Sequence, residues 1–285
     1  MPPALPILIL TGAGGIGLSI ARRLGASHHI LLADFSTSAL DRAATSLSNE
    51  GHTITSLETD VSSLASVVAL FKRGQDLASS SGSRIASVVH AAGVSPAQAS
   101  PERLWAVDLL GTTLVLDEAL KIASPGMSVV AIASMAADLL QAPLSPSLTA
   151  HLMLAGTDKL MSHPELGGRF SQKGMEYGVA KRGNRLRVQA LAKAFGEKGA
   201  RVNSVSPGVI STAMSAAELE GEAGDLIKGL IDGSAAGRLG APAEIANAVA
   251  WLCSVEAGFV TGTDLLVDGG ATAAVDTMKA KALGE

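Results

Sequence analysis

The only tyrosine in the chain, Tyr177, is followed four positions later by Lys181. On a helix that spacing puts both side chains on one face. An ammonium beside a phenol stabilises the phenolate and draws the phenol pKa down from about 10, as a general acid–base working near neutral pH requires. The pair would equally suit an amphipathic helix whose surface happens to carry both residues.

A second group lies near the N-terminus. Thr11-Gly12-Ala13-Gly14-Gly15-Ile16-Gly17 directly follows the apolar run Ile7–Leu10 and reads as GxGxxG on Gly12, Gly14 and Gly17. Glycines let a backbone turn sharply and approach a pyrophosphate, which then sits at the positive end of the following helix. A plain tight turn would look the same. About 20 residues on, a second apolar run ends in Ala33-Asp34-Phe35, where an acidic residue would accept hydrogen bonds from an adenosine ribose. A carboxylate there repels a 2′-phosphate, so NAD is the expected cofactor, with NADP left open. The competing reading of Asp34 is a cap for the helix over 38–50.

These groups need elements to hold them. Short apolar runs at Ile7–Leu10, Ile30–Ala33, Thr53–Leu57, Val88–Ala91, Val129–Ala133, Arg201–Val205 and Asp264–Val267 read as strands. Helix-like stretches separate them at 17–24, 38–50, 64–79, 106–123, 177–198 and 242–252. The alternation predicts an α/β fold: a Rossmann-type doubly wound parallel sheet of about seven strands, with helices on both faces and ligands beyond the carboxyl ends of the strands. A single domain over residues 1–285 is expected, since no repeat or long linker interrupts the pattern. Residues 138–174 break the rhythm, with Pro143, Pro146, Pro164 and two histidines. That segment is too long for an ordinary connection. Its apolar residues, among them Leu148, Leu152, Met153 and Leu154, predict a packed lid, with a short helix over 147–155 capped by Ser147.

Composition narrows the classes. Lys and Arg total 22 and Asp and Glu 26, for a net charge of −4, and 47% of residues are apolar against 17% charged. That excludes a disordered chain and argues against a nucleic-acid partner, which needs clustered positive charge. One cysteine, Cys253, allows no internal disulfide and no cysteine zinc site. His28, His29, His52, His151 and His163 show no metal-ligand spacing, so no metal site is expected. The apolar run Ile7–Leu10 is too short for a signal peptide and has nothing basic before it. No stretch approaches the ~20 apolar residues of a membrane span. The expectation is a soluble, cytoplasmic protein with no membrane partner.

Taken in order, the glycine turn, Asp60-Val61, His90-Ala91-Ala92-Gly93, Ile132-Ala133-Ser134, Tyr177-Gly178-Val179-Ala180-Lys181, Pro207-Gly208-Val209-Ile210-Ser211-Thr212 and Asp268-Gly269-Gly270 resemble the short-chain dehydrogenase/reductase family over residues 5–271. The resemblance implies the Rossmann-type fold a second time. It also implies an oxidoreductase that moves a hydride between NAD(H) and a secondary alcohol or ketone. Position by position, it implies Tyr177 as the acid–base, Lys181 as the group that holds the nicotinamide ribose and tunes the tyrosine, and Ser134 as donor to the substrate oxygen. Gly12, Gly15, Ile16 and Gly17 correspond to the cofactor turn, and Asp60 and Val61 to the adenine pocket. Ala91, Ala92 and Gly93 correspond to the loop beside the adenosine half. Ile210 and Thr212, in the motif opened by Pro207, correspond to the nicotinamide carboxamide contacts.

Three features depart from the family pattern. The glycine turn is one residue shorter than the family's TGxxxGxG, so its pyrophosphate turn must differ locally. Asp108 stands where the family has an asparagine, and a carboxylate only accepts hydrogen bonds where an amide also donates. A catalytic part in an altered proton relay and a structural part in anchoring the helix are both open for it. Ser134 and Tyr177 lie 43 positions apart, more than the family pattern has, so the lid must fold outward for the two hydroxyls to meet. It is then expected to bury Leu152, Met153 or Leu154 against the substrate. The basic run from Lys181 to Arg187 is expected to be solvated or subunit-facing, because in this family that helix commonly forms the dimer interface. A homo-oligomer, dimer or homotetramer, is the corresponding expectation. Trp105, Trp251 and Phe259 are expected in core or interface, and His90 is a candidate for the ribose side.

Two functions of different class fit these residues. One is the oxidoreductase, acting on a small-molecule alcohol or ketone that the apolar lid marks as hydrophobic. The other is a nucleotide-binding relative with altered or lost redox activity, serving as scaffold, sensor or non-redox catalyst. Intact Ser134, Tyr177 and Lys181 favour the first, and Asp108 with the shortened turn favours the second. The Pro207–Thr212 and Asp268–Gly270 motifs point to the alcohol/ketone branch over an enoyl reductase or sugar epimerase.

Overall fold

Alternate residues of the apolar runs face opposite layers. In β1 (Ile7–Thr11), Ile7 and Ile9 pack with one set of helices while Leu8 and Leu10 pack with the other. This is the period-two geometry of a strand buried on both faces. The computed structural model describes residues 4–140, 142–168, 170 and 175–284. Among these, β1 is joined by β2 (His29–Asp34), β3 (Ile54–Glu58), β4 (Ile85–His90), β5 (Ser128–Ile132), β6 (Arg201–Pro207) and β7 (Asp264–Val267). All pair in parallel, in the order β3-β2-β1-β4-β5-β6-β7. The expected doubly wound sheet is therefore present. Its order reverses between β1 and β4, which opens a crevice above their carboxyl ends.

Helices α1 (Gly15–Gly25) and α2 (Thr37–Asn49) cover one face, and α3 (Leu64–Ser81) packs on the other. The stretch expected as a helix over 106–123 begins earlier. Ser100 caps it, its Oγ accepting from Arg103 N at 3.4 Å, and Pro101 suits its first position. It runs through α4 (Pro101–Leu104), a π-helical stretch (Trp105–Gly111) and α5 (Thr112–Ile122).

The segment expected as a lid holds α6 (Pro146–Leu154), a 3₁₀ turn (Leu160–Ser162) and α7 (Pro164–Gly167); its Gln141, Arg169 and residues 171–174 lie outside the described residues. The cap of α6 is Ser145 rather than Ser147, its Oγ accepting from Leu148 N at 3.1 Å. The long α8 (Met175–Glu197) follows. Beyond β6 come α9 (Ala213–Glu220) and α10 (Gly224–Gly233), then α11 (Pro242–Cys253) beside α1, and finally α12 (Ala271–Gly284) after β7. Among the described residues, no helix is long and apolar enough to cross a membrane.

A third apolar cluster explains where the expected lid goes. Leu148, Leu152, Leu160, Leu166 and Phe170 pack against Trp105 and Leu109 of the π-helical stretch and Val179, Ala180 and Leu186 of α8. These residues of the segment cover the outer side of two helices.

Candidate active site

β1 feeds the chain into the glycine turn at the point where the sheet order reverses. Gly12 adopts φ +92°. A side chain on Gly17 would stand 1.8 Å from the Gly12 carbonyl oxygen, so only hydrogen fits there. α1 then starts at Gly15 with no side-chain cap, so its first amides lack intrahelical partners. A side chain at Gly14 would meet nothing within 4 Å. Uncapped amides beside open space suit a pyrophosphate, and the shortened turn still builds that cradle.

Asp34 lies beside it. Its Oδ2 accepts from Ala13 N at 2.7 Å and its Oδ1 from Ser36 N at 2.8 Å. The helix cap is Ser36, not Asp34: Ser36 Oγ accepts from Ala39 N at 3.2 Å. Phe35 is 62% exposed, with the Arg103 guanidinium 5.2 Å from its ring centre. Arg103 also donates to Ser62 Oγ at 3.2 Å and approaches Asp60 Oδ1 to 3.7 Å. Burial works to raise the Asp60 pKa, but hydrogen bonds from Ser62 and the Arg103 charge hold it below the usual carboxylate range. Val61 is buried next to it. Arg103 was not legible in the sequence, because only the fold brings α4 to the end of β2.

The acid–base candidates meet further along the crevice. Ser134 follows β5, its Oγ accepting from Ala136 N at 3.1 Å in the 3₁₀ turn Met135–Ala137. Tyr177 and Lys181 stand in the first turns of α8. The Lys181 ammonium is 5.4 Å from the Tyr177 ring centre, 3.4 Å from the Ile132 carbonyl oxygen and 3.0 Å from Asp108 Oδ1. Asp108 is fully buried, and its Oδ1 also accepts from Val94 N at 3.3 Å. A side chain on Gly93 would stand 2.7 Å from that Oδ1 and 3.2 Å from the Lys181 nitrogen, so the loop after β4 closes directly on the ion pair.

Electrostatics here differ from the sequence expectation. Burial pushes the Tyr177 phenol above 10.0; Lys181 opposes this, Asp108 adds to it, and nearby Ser134 favours the ionised form. The lysine does not win. Burial lowers the Lys181 pKa, but Asp108 and Tyr177 more than compensate and hold it as an ammonium. Burial raises the Asp108 pKa against the opposing pull of Lys181.

His90 does not face a ribose. It is buried, with Nδ1 2.7 Å from Thr11 Oγ1 and Nε2 3.1 Å from Thr112 Oγ1. Thr112 spends its proton on the Asp108 carbonyl oxygen at 2.8 Å, so Nε2 carries the ring hydrogen. Burial and Lys181 push the imidazole down to about 3, and the neutral ring ties β1 and β4 to α5.

Ser134, Tyr177 and Lys181 open into a cavity of about 820 Å³. Its outer wall is α9 and α10, through Met214, Glu218, Leu226 and Leu230. Of the expected lid, only Leu139 and Leu140 among the described residues line the cavity, joined by Met175 at the start of α8. Leu152 is buried in the third cluster and Leu154 is 75% exposed, so neither meets the cavity. Sequence reasoning missed this wall, whose signal was the pairing of Leu226 and Ile227 with Leu230 and Ile231.

Of the basic run on α8, Arg182 is partly exposed, but Arg185 and Arg187 are turned into the chain. Arg185 pairs with Asp138 Oδ1 at 2.7 Å and Asp264 Oδ2 at 2.8 Å. Arg187 pairs with Asp117 at 3.1 Å and donates to the carbonyl oxygens of Met153 and Ala155. Both arginines are buried, and they pin the 138–155 stretch to α8.

Known proteins resemble the chain throughout. Residues 6–146 match the family model described as short chain dehydrogenase, and residues 165–272 the model described as enoyl-(acyl carrier protein) reductase. The chain is 35% identical to the short-chain dehydrogenase/reductase bsc3 of Alternaria brassicicola, over 93% of this chain and 95% of that protein. It is 29% identical to the cis-4-hydroxycyclohexanecarboxylate dehydrogenase of Sinomonas cyclohexanicum, over 94% and 96% of the two chains. The crystal structure of levodione reductase shares its fold, with a TM-score of 0.75 at 23% identity over 95% of this chain and 99% of that one.

Proposed function

Because the chain belongs to the short-chain dehydrogenase/reductase family, and is an oxidoreductase of that family, we propose that it interconverts a secondary alcohol and a ketone with NAD(H). The observation that carries this reading is the meeting of Ser134, Tyr177 and Lys181 at one cavity beside the open glycine turn. The turn and the uncapped start of α1 fit a dinucleotide. Gly15, Ile16 and Gly17 would hold its pyrophosphate, Asp34 its adenosine ribose, and Phe35, Asp60 and Val61 its adenine. Ala91, Ala92 and Gly93 would flank the adenosine half, and Pro207, Ile210 and Thr212 the nicotinamide.

A bound nicotinamide would supply or accept the hydride. The residues of the chain would do the rest. Ser134 donates a hydrogen bond to the substrate oxygen, Tyr177 passes a proton to or from that oxygen, and Lys181 holds the ribose and the phenol in place. Preference for NAD over NADP rests on the Asp34 carboxylate, which repels a 2′-phosphate. A hydrophobic substrate is supported by the cavity wall, and a secondary alcohol by the relative named for a hydroxylated cyclohexanecarboxylate.

Residues 138–174 would then form an insertion within a single domain, a reading supported by the packing of Leu148, Leu152, Leu160 and Leu166 against α8. We also infer a cytoplasmic homo-oligomer. The α8 face bearing Ala180 and Leu186 is already covered by the same chain. Trp251, Val255 and Phe259, exposed at the end of α11 beside the edge strand β7, are better placed for contact between copies. Two measurements test the core of this reading: titration with NADH and NADPH followed by nicotinamide fluorescence, and cofactor oxidation across a panel of apolar ketones. Tighter NADH binding with turnover of at least one ketone is expected. Binding of neither cofactor would contradict the reading.

A further inference from the structure

The family pattern has an amide where this chain has Asp108, and the difference is one full charge. An asparagine oxygen could accept the Val94 N–H and the lysine hydrogen bond as this carboxylate does. Only the carboxylate also cancels the ammonium. Asp108 is 0% exposed, its Oδ1 lies 3.0 Å from Lys181, and its Oδ2 has no hydrogen-bond partner among the described residues. A carboxylate so placed is tolerable only as half of an ion pair. The π-helical stretch Trp105–Gly111 is what sets it there, and such widened turns recur at functional sites.

We propose that Asp108 is a positioning residue that neutralises Lys181 and so keeps Tyr177 as a protonated phenol, ready to give a proton to a carbonyl oxygen and unready to take one from an alcohol. The inference rests on the reading of Tyr177 as the acid–base. In the reductive direction the carbonyl carbon gains a hydride, with both electrons coming from the reduced nicotinamide. The carbonyl oxygen takes the Tyr177 proton, and the phenolate left behind recovers one from water. The oxidative direction needs the phenolate at the outset. Asp108 does not move the equilibrium between alcohol and ketone; it sets the pH at which each direction has its proton in the right place.

The other charges around the phenol do not undo this. Glu218, facing it from α9, adds a further pull toward the neutral phenol. Glu176 is buried on the same helix. His90, at the end of β4, is uncharged, its imidazole held down to about 3 by burial and Lys181. Lys181 is the one cation acting on the phenol among the described residues, and Asp108 is its direct counter-charge.

Tyr177 is the only tyrosine, so tyrosinate absorbance of the full-length protein, without cofactor or substrate, reports this group alone. In a pH titration the unaltered protein should show less than half tyrosinate at pH 10.0, the ordinary phenol midpoint. Asp108→Asn should move the midpoint down by about one unit or more. The same variant should raise kcat/KM for alcohol oxidation near neutral pH about tenfold. A midpoint below 10.0 in the unaltered protein overturns the proposal, and that titration needs no variant to fold. An unmoved or raised midpoint in Asp108→Asn overturns it as well. A downward shift in a protein that turns over no alcohol or ketone would uphold the coupling and count against the proposed reaction instead.

Discussion

At the scale of single residues, the chemistry of the site fixes residue types that can be read one by one. Tyr177, Lys181, Ser134 and the glycine turn were legible because a proton donor, a cation and a phosphate cradle each admit few side chains. Their balance was not legible. Whether the phenol rises or falls depends first on its burial, and then on Lys181 and the Asp108 charge paired with it, all of which only the fold sets. The sign follows from the raised Tyr177 pKa: the reductive step needs the protonated phenol, so its kcat/KM should stay level from neutral pH to about 10 and fall only above it. A profile that falls well below that pH would contradict the raised value. Asp34 offers a second check. As the proposed ribose ligand it would make charge-assisted bonds worth about 1.5–3 kcal/mol each, so Asp34→Ala should weaken NAD binding about tenfold or more and narrow the gap to NADP. Paired titrations of the two cofactors would show an unchanged gap if Asp34 has no such role.

Among the elements, those with a strong period were readable, and those whose partners lie far along the chain were not. The strands declared themselves because both faces of each are buried. The wall helices α9 and α10 are short and parted at Gly221, so their apolar residues formed no long stripe. The 138–174 segment looked like a lid because its apolar content required burial; the sequence did not say against what. Since α6 and α7 pack on α8, Leu152→Ala should cost about 2–5 kcal/mol of stability in a denaturant titration while leaving KM nearly unchanged. A large KM change at unaltered stability would restore the lid. Leu226→Asp, in the real wall, should instead raise KM for an apolar ketone severalfold at little cost in stability, because that side chain is 70% exposed.

Over the whole molecule, the sheet order, the crevice and the family membership agree, and they leave the surface to decide assembly. Trp251 and Phe259 were expected in core or interface. Phe259 is fully exposed and Trp251 is 39% exposed, which rules out the core. The proposed contact between copies rests on these exposed apolar side chains. Phe259→Glu should therefore lower the mass seen by sedimentation, and an unchanged mass would place the contact elsewhere. The central claim is that this oxidoreductase moves a proton through its one tyrosine. It is tested most directly by cofactor oxidation with a turned-over ketone, comparing the intact protein with Tyr177→Phe at equal NADH saturation. The account predicts turnover at least about a hundredfold lower in the variant, with NADH affinity nearly kept. Turnover within a few-fold of the intact protein would contradict it.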